Sequence, residues 1–267
     1  MPDARWKRYV ALGDSITEGL CDPADPMPAL GQREPWVGWA DRLAGILDRN
    51  AALSGRGIEF ANLAVRGRRV RDVVDEQIPA AIELGSDLVS ILIGGNDLMT
   101  PAGDPDRLAA ELERGVARLR AARIDVLLAT SFDPQFAFFL KPLRGKAAVY
   151  NANLWSIARR YGTHTLDLWG IREFRDRRMW SEDRVHLTSA GHRVLARHAA
   201  HSLGISYWEL PEHQSLQAHD PVEPRISTST WLRRYAVPWL GRRLRGVSAG
   251  DSLPPKLPAP CPVGGRG

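Results

Sequence analysis

Gly13-Asp14-Ser15 follows the apolar run Tyr9-Val10-Ala11-Leu12 and puts a hydroxyl at a compact turn. A serine presented there is a candidate nucleophile, but Ser15-Ile16-Thr17-Glu18 also reads as a capping box, with Ser15 as N-cap and Glu18 reaching back. A nucleophilic hydroxyl needs a base, a group that orients the base, and donors for the charge it creates. The chain has a candidate for each. Asp183 precedes His186 by three residues, a spacing at which a carboxylate can fold back onto Nδ1 and leave Nε2 to take a proton from a hydroxyl. Gly94-Gly95-Asn96-Asp97 offers backbone that can approach a ligand closely and, in Asn96, a side-chain amide donor suited to an oxyanion. The stretch Asn62-Leu63-Ala64-Val65-Arg66-Gly67 ends on a glycine that lets the backbone turn sharply and aim an N–H at a crevice. Each piece also has an ordinary reading, as a turn glycine, an Asn-Asp turn or a surface acid–histidine pair.

The elements that would position these residues alternate along the chain. Strand-like runs fall at residues 8–12, 58–63, 88–93, 124–130 and 163–168. Between them, Trp39, Leu43, Ile46 and Leu47 recur at helical spacing, as do Val70, Val73, Val74 and Ile78, then Leu108, Leu112, Val116 and Leu119, then Tyr150, Leu154, Ile157 and Tyr161. A last helix opens with Thr188 as N-cap and stops at Gly204. Short apolar strands that alternate with amphipathic helices predict a five-stranded parallel sheet in a three-layer α/β/α sandwich. Ligands of such sheets bind beyond the carboxyl ends of the strands. Ser15, Gly67 and Asn96 follow the first, second and third runs, and Asp183 and His186 lie in the last loop, so one crevice accommodates all five. Asp133, at the end of the fourth run, sits in an Asp-Pro turn and is given no role. Trp36 and Trp39 line an acyl or sugar site, or pack as the inner face of the first long helix.

The 267 residues carry a formal net charge of +5, and only Lys7, Lys141, Lys146 and Lys256 among the cations are lysines. Without a concentrated basic patch in the first 200 residues, this balance does not point to nucleic acid. No apolar run is long enough to cross a bilayer, and no signal-peptide pattern opens the chain, which predicts a cytoplasmic protein. Cys21 and Cys261 form neither a disulfide framework nor a metal-binding spacing. A nucleotide-binding α/β protein is disfavoured, because no Gly-x-Gly-x-x-Gly or P-loop follows the first strand.

After residue 205 the patterning changes. Nine of the nineteen prolines fall in the C-terminal extension, residues 206–267. Trp231, Leu232, Tyr235, Ala236, Trp239 and Leu240 share one helical face beside Arg233, Arg234, Arg242 and Arg245, which predicts a short basic aromatic helix near 231–245, interrupted at Pro238. The rest of the extension, 252–267 above all, is expected to be disordered. A basic aromatic helix can lie on an anionic membrane surface, so a noncatalytic lipid- or membrane-surface-binding protein is the rival reading of the chain.

Taken together, Gly13-Asp14-Ser15, the stretch from Asn62 to Gly67, Gly94-Gly95-Asn96-Asp97 and the stretch from Asp183 to His186 resemble the four sequence blocks of the SGNH hydrolases, the GDSL-type esterases and lipases. The resemblance covers roughly residues 7–203. It implies the flavodoxin-like fold of that family and a serine acylhydrolase acting on a small-molecule ester. In it, Ser15 is nucleophile and first oxyanion donor, Gly67 and Asn96 are the further oxyanion donors, His186 is the base and Asp183 its orienter. No metal or organic cofactor is implied. Ile16 stands where the family name suggests leucine. Carboxylic esters of lipids, thioesters and acetylated sugars all fit this constellation, because the triad reads the carbonyl and the loops read the remainder.

Overall fold

In β1 (Arg8–Gly13) every residue from Tyr9 onward is buried. Tyr9 and Ala11 join one hydrophobic cluster, while Val10 and Leu12 join a second. A strand that buries both sets of alternating side chains needs a layer on each face. The computed structural model, which describes residues 5–23, 36–205, 226–238, 241 and 250–264, supplies both layers. Strands β2 (Glu59–Asn62), β3 (Leu88–Leu92), β4 (Asp125–Ala129) and β5 (His164–Leu166) extend β1 into a parallel sheet. Helices α2 (Gly38–Ala52) and α8 (Ser189–Ser202) cover the Tyr9 face; α6 (Pro105–Ala121) and α7 (Arg144–Tyr161) cover the Val10 face. No helix of the described residues is long and apolar enough to span a membrane.

The sheet order is β5-β4-β3-β1-β2-β6, with β6 formed by Leu257–Pro262, so β1 lies between β3 and β2. The chain leaves β1 towards one side of the sheet and later returns to β3 on the other. This reversal opens a crevice at the carboxyl ends of the two strands. Register fixes what stands there: Leu12 lies beside Ile91 and Gly13 beside Leu92.

The helix expected across Val70 to Ile78 is divided. Short α3 (Val70–Asp72) passes through a π turn, Val73–Gln77, into α4 (Ile78–Glu83). Pro79 has no N–H for the carbonyl four residues back, and the wide turn ahead of it absorbs the mismatch.

The sheet has six strands where five were expected. The sixth, β6 (Leu257–Pro262), runs antiparallel along β2 and comes from the stretch expected to be disordered. Pro258, Pro260 and Pro262 are spaced by two. Val263 donates to the Ile58 carbonyl at 2.9 Å, which turns the adjoining Pro262 nitrogen away from β2, and the register shifts between Phe60 and Asn62, opposite Pro258 and Pro260. Proline is tolerated on an edge strand, so the proline density here accompanies an edge strand and not disorder.

Just ahead of β6, Lys256 Nζ donates to the carbonyls of Trp36 (3.0 Å) and Val37 (2.6 Å) and to Asp41 (2.7 Å). This mostly buried ammonium ties the C-terminal strand to the start of α2. Lys256→Ala leaves Asp41 and two carbonyls without it. The expected loss is about 2 kcal/mol, by the scale for hydrogen bonds to charged groups, read as a lower urea midpoint at unchanged slope.

Candidate active site

Ser15 is set by the residues before it. The Gln77 side-chain amide, in the π turn, accepts from the Gly13 N–H at 2.8 Å and donates to the Gly13 carbonyl at 3.0 Å. Gly13 sits at φ 150°, and a Cβ there would lie 2.4 Å from the Leu92 carbonyl oxygen, so β1 ends against β3 without a side chain between them. Asp14 then accepts from the Ile16 N–H at 3.1 Å and is the N-cap of α1 (Ser15–Glu18). The capping-box expectation is thus corrected by one residue: Ser15 is the first helical residue. Glu18 does not reach back; it accepts from the Arg66 backbone N–H at 2.6 Å and the Arg66 guanidinium at 2.7 Å, joining α1 to the turn after β2.

Relieved of capping, Ser15 Oγ lies 2.8 Å from His186 Nε2, and His186 Nδ1 is hydrogen-bonded to Asp183 Oδ2. The loop that carries this pair is closed like a hairpin. Trp180 and Leu187 form an antiparallel bridge, and Ser181 N–H donates to the His186 carbonyl at 2.8 Å. Inside it, Asp183 Oδ1 accepts from the Ser181 hydroxyl (2.7 Å) and from the N–H groups of Val185 and His186 (2.9 Å each). One carboxylate oxygen folds the loop and the other holds the ring. Beneath the loop, Trp180 stacks on Phe136 with centroids 3.6 Å apart and meets Phe132 edge-on.

Gly67 takes a left-handed conformation (φ 79°) in the turn after β2. Asn96, in α5 (Gly95–Leu98) after β3, donates through Nδ2 to the Arg68 carbonyl at 3.0 Å and to Asp14 Oδ2 at 3.3 Å. It thereby links the ends of β1, β2 and β3. Gly94 precedes it at φ 110°, and a Cβ there would lie 2.8 Å from the Tyr150 ring. Asn62 does not face the crevice: fully buried, it donates to the Thr17 carbonyl (2.9 Å) and accepts from the Ala64 N–H (3.1 Å). Asp97 accepts from the Val70 N–H at 3.1 Å. Asp133 pairs with Arg144 at 2.9 Å, away from this set. Trp39 is buried in the core, and Trp36 is half-buried at a bridge to Pro23.

Burial alone would push the His186 ring down, but the Asp183 charge and hydrogen bond outweigh it and hold the imidazole above its ordinary value. Burial likewise acts against the Asp183 carboxylate, which His186 and the loop N–H groups nevertheless hold well below the usual range. For Asp14 and Asp97 burial outweighs the hydrogen bonds they accept from the Ile16 and Val70 N–H groups and pushes both up to about 6. An imidazole poised between a carboxylate and a hydroxyl can accept the hydroxyl proton and return it to a leaving group.

Three residues in contact with the elements of the site escaped sequence reasoning. Gln77 stands on the apolar stripe of Val70, Val73, Val74 and Ile78, where a lone amide is a signal of a buried backbone partner. His192 is buried between elements: Nδ1 accepts from the Trp39 N–H at 3.1 Å and Nε2 lies 3.2 Å from the Leu20 carbonyl. Burial pushes it down to about 4, which keeps it neutral. Trp231 closes α9 (Thr228–Trp231), which continues through a π turn, Leu232–Ala236; Trp239, Leu240, Arg242 and Arg245 of the expected helix lie outside the described residues. Trp231 is turned into the domain, 5% exposed, with Nε1 donating to the Asp183 carbonyl at 2.8 Å.

Comparison with known proteins agrees with this architecture. The GDSL-like Lipase/Acylhydrolase family matches residues 11–194. Among solved structures, an acetylxylan esterase from Geobacillus stearothermophilus, Axe2, is similar at 25% identity with a TM-score of 0.60, covering 75% of this chain and 95% of that one. LAE5, an α/β hydrolase from the metagenome of Lake Arreo, Spain, is similar at 23% identity and TM-score 0.60, over 74% and 95% of the two chains. No curated protein sequence matches the chain. The chain belongs to the GDSL-like lipase/acylhydrolase family and is a serine ester hydrolase of the SGNH type.

Proposed function

We propose that the protein cleaves a carboxylic ester through an acyl-enzyme on Ser15. The observation that carries this reading is the continuous line from Asp183 through His186 to Ser15 Oγ, with 2.8 Å between Nε2 and the hydroxyl. His186 takes the Ser15 proton as Oγ attacks the carbonyl and gives it to the departing alcohol. Water then repeats the sequence on the acyl-enzyme. The developing oxyanion is met by the Ser15 N–H at the first turn of α1, the Gly67 N–H and the Asn96 amide. Asn96 is kept beside the Gly67 turn by its bond to the Arg68 carbonyl, and its longer contact, to Asp14, is the one an oxyanion replaces.

Support for a small acyl group comes from the likeness to an acetylxylan esterase, a catalytic mutant of which replaces a serine by alanine. Acetylated sugars are therefore the first substrate class to test, ahead of thioesters and lysophospholipids. Treatment with a fluorophosphonate, followed by peptide mass spectrometry, should place the adduct on Ser15. An adduct elsewhere, or none, would remove the acyl-enzyme reading.

The same geometry sets the pH response. Only the neutral imidazole can accept the Ser15 proton, and Asp183 holds His186 above its usual value. kcat/KM is therefore expected to rise with pH along a limb centred above about 6.5, and to fall away as the ring protonates below it. Asp14, titrating at about 6, broadens the limb, which reports the group of sites together. A profile flat from about pH 5 to 8 with chemistry rate-limiting would count against a histidine base.

A further inference from the structure

The family match ends at residue 194, yet a segment well beyond it grips the loop that carries the acid and the base. Glu182, Asp183 and Arg184 are each held from the C-terminal extension. Glu182 Oε1 accepts from Arg234 at 3.0 Å and from the Tyr235 hydroxyl at 3.1 Å. The Asp183 carbonyl accepts from Trp231 Nε1 at 2.8 Å. The Arg184 guanidinium lies 5.2 Å from the centroid of the Trp231 ring and donates to the Ile226 carbonyl at 3.4 Å. The indole also meets Phe139, from the loop after β4, with centroids 4.6 Å apart. Asp183 is thus pinned at two points, through its carboxylate to the imidazole and through its carbonyl to the indole.

We propose that Trp231 is a positioning residue for the hydrolytic site: its indole N–H and ring, braced by Phe139, fix the backbone at Asp183 and so hold His186 in line with Ser15. Trp231 touches none of the reacting atoms, so it acts through the loop. Arg184, at φ 62°, adopts a backbone conformation costly for a residue with a side chain, and a loop that contains it gains most from an external clamp. Misplacement of a catalytic group by about 1 Å is enough to lower a rate on the order of 100-fold, so a clamp of this kind is felt in turnover rather than in substrate affinity. The inference rests on the proposed roles of Ser15, Asp183 and His186.

The test uses the full chain and a short-chain aryl ester, with Ser15→Ala, Trp231→Ala and Trp231→Phe measured side by side. Trp231→Phe keeps a ring against Phe139 and Arg184 but loses the donor. Trp231→Ala is expected to lower kcat at least three-fold, with KM within two-fold of wild type. Its rate of fluorophosphonate labelling should fall in parallel, and Trp231→Phe should lie between it and wild type. A fall in kcat below three-fold, or a loss confined to KM, overturns the proposal. If Trp231→Ala does not fold, Trp231→Phe decides by the same three-fold criterion. Wild-type turnover in Ser15→Ala would instead overturn the underlying reading of the site, which separates the two failures.

Discussion

Ser15→Ala is expected to lower kcat on a short-chain aryl ester by about 10⁴-fold or more, the scale on which removal of a serine nucleophile is felt, while leaving the fold intact. Alanine at the first position of α1 keeps the backbone N–H and helical geometry, and the cap belongs to Asp14, so nothing that holds the turn is removed. The hydroxyl's recorded partner is His186 Nε2, whose own place is fixed by Asp183 and the loop. The circular dichroism melt should therefore stay within about 2 °C of wild type, as for a substitution that creates no cavity and strands no charge. The turnover that remains would come from the oxyanion donors. Activity within ten-fold of wild type would exclude Ser15 as the nucleophile.

Asp183→Asn tests the orienter without removing its shape. Asparagine keeps a carbonyl oxygen for the Ser181 hydroxyl and for the N–H groups of Val185 and His186, so the loop retains its internal bonds. The other end of the amide now presents N–H₂ to Nδ1, which must accept rather than donate. The ring proton moves to Nε2, and the base loses the lone pair it needs to take the Ser15 proton. kcat is expected to fall about 10⁴-fold, the loss recorded when a triad aspartate becomes asparagine, with KM little changed. ¹⁵N NMR of His186 checks the cause directly: the protonated nitrogen should switch from Nδ1 to Nε2. An unchanged tautomer with reduced kcat would refute this account.

The residues proposed for the site were legible in the sequence because each marks a strand end or sits at short range from its partner. Asp183 and His186 are three apart, and the loop that unites them is closed by hydrogen bonds within a few residues. Ser15, Gly67 and Asn96 each follow an apolar run, so the parallel topology brings them to one edge whatever the details of packing. What sequence reasoning could not supply were the partners chosen by tertiary contact. The capping box fits Ser15 and Glu18 locally, yet Asp14 takes the cap because Glu18 finds a guanidinium and an N–H at Arg66. Gln77 clamps a glycine from a π turn that only Pro79 hinted at. The extension was harder still. Proline density signals disorder in isolation, whereas here the residues alternate along an edge, and Trp231 faces a loop that no periodicity links to it.

The antiparallel β6 on β2 also bears on how the chain reaches this state. β2 is synthesised early, and most of the remaining sequence follows before the strand that covers its other edge exists. Until then that edge displays unpaired N–H and C=O groups, the kind of surface that recruits strands from other molecules. A pairing of such long range is also slow to form. Folding intermediates of this protein should therefore be most prone to self-association in the interval before β6 docks, and a chain shortened ahead of residue 257 would remain in that interval permanently.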